Sequence, residues 1–104
     1  MAIIDRLYQT ILDRKANPRP DSYVCKLLDG GEDKILQKVG EETVEVLLAA
    51  KGQDDDALIR ELADLLFHSL VLLGSRNISP ERVAAELGRR FGTSGLIEKA
   101  LRKE

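Results

Sequence analysis

A chain of 104 residues forms one domain, near the size at which a second subunit often supplies part of the core. Sixteen basic against eighteen acidic residues leave a net charge of -2, which argues against nucleic acid or an acidic membrane surface as a partner. The lone cysteine, Cys25, cannot form an intrachain disulfide and suits a cytoplasmic setting, while the longest apolar run, "LLFHSLVLL", is far too short to span a bilayer.

In chain order, Ile3, Leu7 and Ile11, with Ile4, Tyr8 and Leu12 beside them, predict an amphipathic helix ending near Lys15. The prolines of "ANPRPDS" forbid its continuation, and Asp21 or Ser22 can cap a short helical turn through "YVCKLL" before "DGG" breaks the chain. A long helix is expected from about Glu32 to Lys51, closed by Gly52. Asp54 to Asp56 favour the positive end of the next helix, which should run to about Leu73 and be ended by Gly74 and "RNIS". Ser79 then reads as an N-cap and Pro80 as the first position of a helix to about Arg90. "FGTSG" breaks that helix, and "LIEKALRKE" forms a short amphipathic tail over about 95–104. With no credible strand, the expected fold is all-α: an antiparallel bundle of about four to five helices in a single domain spanning 1–104.

Projected at about 100° per residue, Lys34, Lys38, Glu41, Glu42 and Glu45 share one arc of the long helix. On the following helix, Leu58, Leu62, Leu65, Ser69, Leu72 and Leu73 form the main apolar face. Glu61, Asp64 and His68 gather beside that face, while Phe67, Leu70 and Val71 cover the back, so the helix belongs at the centre of a bundle or in a dimer interface. Glu42 and Glu45 are three residues apart, as are Glu61 and Asp64, so each helix can aim two carboxylates at one point. Two carboxylates about 6 Å apart at an effective dielectric of ~20 repel by about 3 kcal/mol, a cost that protonation or a bound cation relieves. Oxygen-only ligands suit Mg²⁺, with Mn²⁺ as a substitute, and magnesium held by carboxylates commonly serves phosphate chemistry.

Taken alone, "EETVE" reads more readily as a solvated charged stripe, whereas "ELAD" is harder to dismiss in so apolar a helix. Gly40 needs a reason within a helix, either close packing or a ligand's approach. His68, the only histidine, reads as a hydrogen-bonded core residue, as a partner behind the metal-holding acids or as a general acid. Cys25 reads as a small buried side chain. A carboxylate-rich di-iron bundle and a purely structural dimerisation module are the alternatives outside hydrolytic chemistry, and the di-iron pattern calls for more histidine than this chain has.

The ordered pattern "EExxE", fifteen residues, then "ExxD" resembles the metal-binding signature of the all-α, MazG-like nucleotide pyrophosphohydrolases. The wider text "DSYVCKLLDGGEDKILQKVGEETVEVLLAAK" followed by "ELADLLFHSLVLL" is similar to the phosphoribosyl-ATP pyrophosphohydrolase family of histidine biosynthesis, over roughly residues 3–90. The resemblance implies magnesium-dependent hydrolysis of phosphoribosyl-ATP to phosphoribosyl-AMP and pyrophosphate, by a cytoplasmic helical homodimer. It implies metal ligation by Glu42, Glu45, Glu61 and Asp64, with Glu41 orienting or deprotonating the attacking water. Substrate contacts are implied at Lys34, Lys38, Ser22 and Tyr23. Val24 stands where the family often has threonine, and "RRFGTSGLIEKALRKE" departs from its pattern. A related pyrophosphatase acting on free nucleoside triphosphates is the alternative within the superfamily.

Overall fold

The computed structural model describes residues 1–91, which form five α-helices and, among the described residues, no strand. These are α1 (Ala2–Ala16), α2 (Tyr23–Asp29), α3 (Glu32–Lys51), α4 (Asp55–Ser75) and α5 (Pro80–Phe91). The expected tail helix over about 95–104 lies outside the described residues. Local chemistry accounts for most of the boundaries. The Ser22 hydroxyl accepts from the Cys25 N–H to start α2, and the Asp54 carboxylate accepts from the Ala57 N–H to start α4. Gly31 precedes α3 with φ +84°, a backbone that an L side chain rarely adopts.

Gly52 caps the C-terminus of α3 as expected, with a right-handed backbone, and the left-handed step falls on Gln53 at φ 59°. The end of α4 differs from the expectation. Gly74 does not end α4 but lies buried inside it, and Asn77, at φ 56°, makes the turn. A Cβ on Gly74 would meet Ile11 Cγ2 at 2.7 Å, so this glycine is a crossing point where α1 approaches the α4 backbone. Lys15 of α1 reaches the same end, donating to the Gly74 and Ser75 carbonyls at 3.2 Å each and to Asn77 Oδ1 at 3.0 Å. Its ammonium thus sits on the negative end of α4.

The long helices α3 and α4 form an antiparallel hairpin, and α1 and α2 cover only one end of it. The core lies there: Tyr8 and Ile11 from α1, Val24 and Leu27 from α2, Ile35 from the start of α3, and Leu70 and Val71 from the end of α4. At this end of α4 the core takes both apolar sides, since Leu72 and Leu73 of the expected main face pack against it beside the expected back. Leu70 and Val71, assigned to its back, are 2% and 0% exposed, whereas Leu62 of the supposed main face is 46% exposed. Periodicity finds both apolar sides but cannot say which residues α1 and α2 cover. Toward the hairpin turn, Val44, Leu47, Leu48 and Ile59 remain exposed.

Candidate active site

The acidic set forms where the covered half of the hairpin meets the uncovered half. Because α3 and α4 run antiparallel, Glu42 stands across from the segment carrying Glu61 and Asp64, which are one turn apart and project the same way. One oxygen from each of Glu42, Glu61 and Asp64 lies within 4.8 Å of the others. Opposite ligands of an octahedral Mg²⁺ are ~4.2 Å apart, so small side-chain rotations suffice to close the set on such an ion. Three oxygen-only donors fit a hard divalent cation and do not fit zinc. Glu61 feels the crowding: partial burial, then the carboxylates of Asp64, Glu42 and Glu45, push its pKa above the ordinary glutamate value.

Glu45 stands apart from these three. It is exposed on α3, outside the convergent set, yet near enough for its charge to act on Glu61. Beside Glu42, the Lys38 ammonium lies 3.7 Å from its carboxylate and donates to Glu41 at 3.2 Å. Glu41 also accepts from Gln37 Nε2 at 3.2 Å, and the Lys38 hydrogen bond leads the causes that hold its carboxyl below the ordinary range. In turn the bond to Glu41 leads those that raise the Lys38 ammonium, with Tyr23 and Glu42 contributing.

Other expected contacts fall elsewhere. The Ser22 hydroxyl is engaged as the cap of α2. Lys34 begins α3 two turns before Glu42, ~12 Å away along the axis, and its side chain packs over Gly30. Gly40 is exposed, and a Cβ there would meet nothing within 4 Å, so no packing within the described chain accounts for it. Cys25 is buried, accepting from the Arg19 N–H at 3.3 Å and donating to the Arg14 carbonyl at 3.5 Å, a structural role as expected.

His68 is 4% exposed and does not face the Asp64 carboxylate. Its Nδ1 lies 2.7 Å from the Asp64 backbone oxygen, and its Nε2 lies 2.9 Å from the Tyr23 hydroxyl. The ring's link to the acid-bearing turn therefore runs through the α4 backbone. Phe67, placed on the back of α4 by projection, packs beside this pair. Its ring lies 6.0 Å from that of Tyr23 at 20° between planes, and 5.0 Å from that of His68 at 84°. The available sequence signal was aromatic scarcity, since two of the chain's four Phe and Tyr residues meet here.

Fold and site together define a class: all-α proteins with a carboxylate site on a helix hairpin. A family model described as phosphoribosyl-ATP pyrophosphohydrolase matches residues 4–91. A protein of Trichlorobacter lovleyi named phosphoribosyl-ATP pyrophosphatase is 58% identical to the chain, covering 98% of it and 94% of its own length. One from Geobacter sulfurreducens with the same name is 53% identical over 98% of the chain and 94% of its own length. A third, from Neisseria gonorrhoeae, is 48% identical over 99% and 96%. The chain belongs to the phosphoribosyl-ATP pyrophosphohydrolase family, enzymes that hydrolyse phosphoric anhydrides.

Proposed function

We propose that this protein hydrolyses phosphoribosyl-ATP to phosphoribosyl-AMP and pyrophosphate in histidine biosynthesis, with magnesium held by Glu42, Glu61 and Asp64 and with Glu45 joining at the rim. The observation that carries the reading is the convergence of those three carboxylates in a member of this family. Bound magnesium supplies charge neutralisation for the pyrophosphate leaving group. Glu41, held ionised by Lys38, suits orienting the attacking water better than taking its proton. Lys38 is placed to exchange its contacts with Glu41 and Glu42 for substrate phosphate oxygens. Tyr23 lines the same edge of the site, and Lys34 and Ser22 take part only if the α2 end of the chain shifts. The enzyme works in the cytoplasm as a homodimer, a reading supported by the uncovered apolar half of the hairpin. No helix among the described residues is long and apolar enough to cross a membrane.

The test is pyrophosphate release from phosphoribosyl-ATP, ATP and dUTP, with magnesium or manganese supplied. The expected result is turnover of phosphoribosyl-ATP far above the other two. Loss of a direct metal contact should outweigh the 10–100-fold typical of outer partners, so Glu42→Gln should cost more than ~100-fold, and Glu45→Gln less. Preference for ATP or dUTP would move the enzyme to a general nucleotide pyrophosphatase. Full activity in Glu42→Gln would remove the carboxylate set from the mechanism.

A further inference from the structure

The contacts of His68 determine where its proton sits. The Asp64 carbonyl oxygen carries no hydrogen, so in the 2.7 Å contact it accepts and Nδ1–H donates. In the neutral ring Nε2 then has only a lone pair, and the Tyr23 hydroxyl, 2.9 Å away, must donate to it. Direction is thus fixed along the chain from Tyr23 to His68 to the Asp64 backbone. Burial at 4% exposure and ring contacts with Phe67 at 5.0 Å and Tyr23 at 5.7 Å leave the imidazole little freedom to turn.

Tyr23 is the opposite case. The residue is 47% exposed although its ring is stacked on Phe67, and its hydroxyl is one imidazole away from the backbone of the Asp64 turn. With its proton committed to Nε2, the hydroxyl oxygen keeps lone pairs for a second partner. Through His68 it is tied to the turn of α4 that carries Asp64.

We propose that His68 is a positioning residue: with its proton on Nδ1, it holds the hydroxyl and ring of Tyr23, the substrate contact of the functional reading, in one orientation against the Asp64 turn. The proposal rests on the functional reading above. It ties the short helix α2 to the Asp64 turn of α4, so that the substrate edge and the acids keep one spacing.

Two measurements test it. Because His68 is the only histidine, long-range ¹H–¹⁵N correlations of the wild-type ring report one imidazole without ambiguity. They should show the proton on Nδ1, and Tyr23→Phe should move the Nε2 resonance. A proton on Nε2, or an Nε2 resonance indifferent to Tyr23→Phe, would overturn the pairing. In kinetics with phosphoribosyl-ATP and magnesium, His68→Leu and Tyr23→Phe should each raise KM about tenfold, the size of one net hydrogen bond, with kcat within a few-fold. His68→Gln, whose amide end reaches the position of Nε2, should restore most of the affinity, and Tyr23→Phe/His68→Leu should be no worse than either single variant. Equal KM values in wild type and Tyr23→Phe, or additive losses in the double variant, would overturn the proposal. So would a collapse of kcat at constant KM. If His68→Leu does not fold, Tyr23→Phe and the ring spectrum still decide. A wild type inactive on phosphoribosyl-ATP would sink the functional reading and with it the role of Tyr23 toward that substrate, while the spectrum would still decide the pairing.

Discussion

Glu61 holds a carboxylate where partial burial and the charges of Asp64, Glu42 and Glu45 all disfavour ionisation. A group in that position weakens the metal-free fold and strengthens the hold on a cation, because the same repulsion that raises its pKa is relieved by a bound positive charge. Removing the charge should therefore separate stability from function. Glu61→Gln is expected to melt higher than wild type without metal and to lose most of the thermal shift that millimolar magnesium gives wild type. A lower metal-free Tm, or an undiminished magnesium shift, would show that Glu61 lies outside the cation site. Gly40 is legible at this scale only as a puzzle. The space above it is open, so no packing among the described residues explains the glycine.

Among elements, the contact between α1 and α4 is made at one close approach. Ile11 is fully buried and its Cγ2 occupies the place a Gly74 Cβ would take. The Ile11 side chain therefore packs directly on the α4 backbone at Gly74, and Lys15 secures the end of α4 just beyond it. Gly74→Ala sets a helix-propensity gain of about 1 kcal/mol against an overpacking cost of about 1–3 kcal/mol. Overpacking should win because Ile11 is enclosed, lowering Tm by several degrees in a domain of this size. An unchanged or higher Tm in a thermal melt would mean that α1 yields at Ile11. Proximity of Gly74 to "RNIS" suggested a helix end, yet only the path of α1 shows why a glycine is needed within α4.

At the scale of the whole molecule, the covering of the α3–α4 hairpin is one-sided. Leu47, Leu48 and Ile59 are 63%, 61% and 65% exposed, and together with Val44 and Leu62 they leave apolar surface at the turn end. Such surface favours a second subunit. Sedimentation at micromolar concentration should report a dimer for wild type, and Ile59→Lys should shift it toward monomer while leaving far-ultraviolet circular dichroism unchanged. A monomeric wild type would refute the homodimer.

The sequence by itself determined the helical class, the positions of the five described helices to within about two residues, and the family. Its signals for these are local: prolines in "ANPRPDS", a cap at Asp21 or Ser22 and one at Ser79, the acids Asp54 to Asp56 at a helix start, and acids three residues apart on one helix. Only the tertiary structure decided which acids converge, which residues of α4 are core, why Gly74 is a glycine, and that His68 turns to Tyr23 and not to the Asp64 carboxylate. Each of these depends on the register and facing of one helix against another, a relation between residues as many as 63 positions apart at Ile11 and Gly74, which no pattern within a single helix encodes.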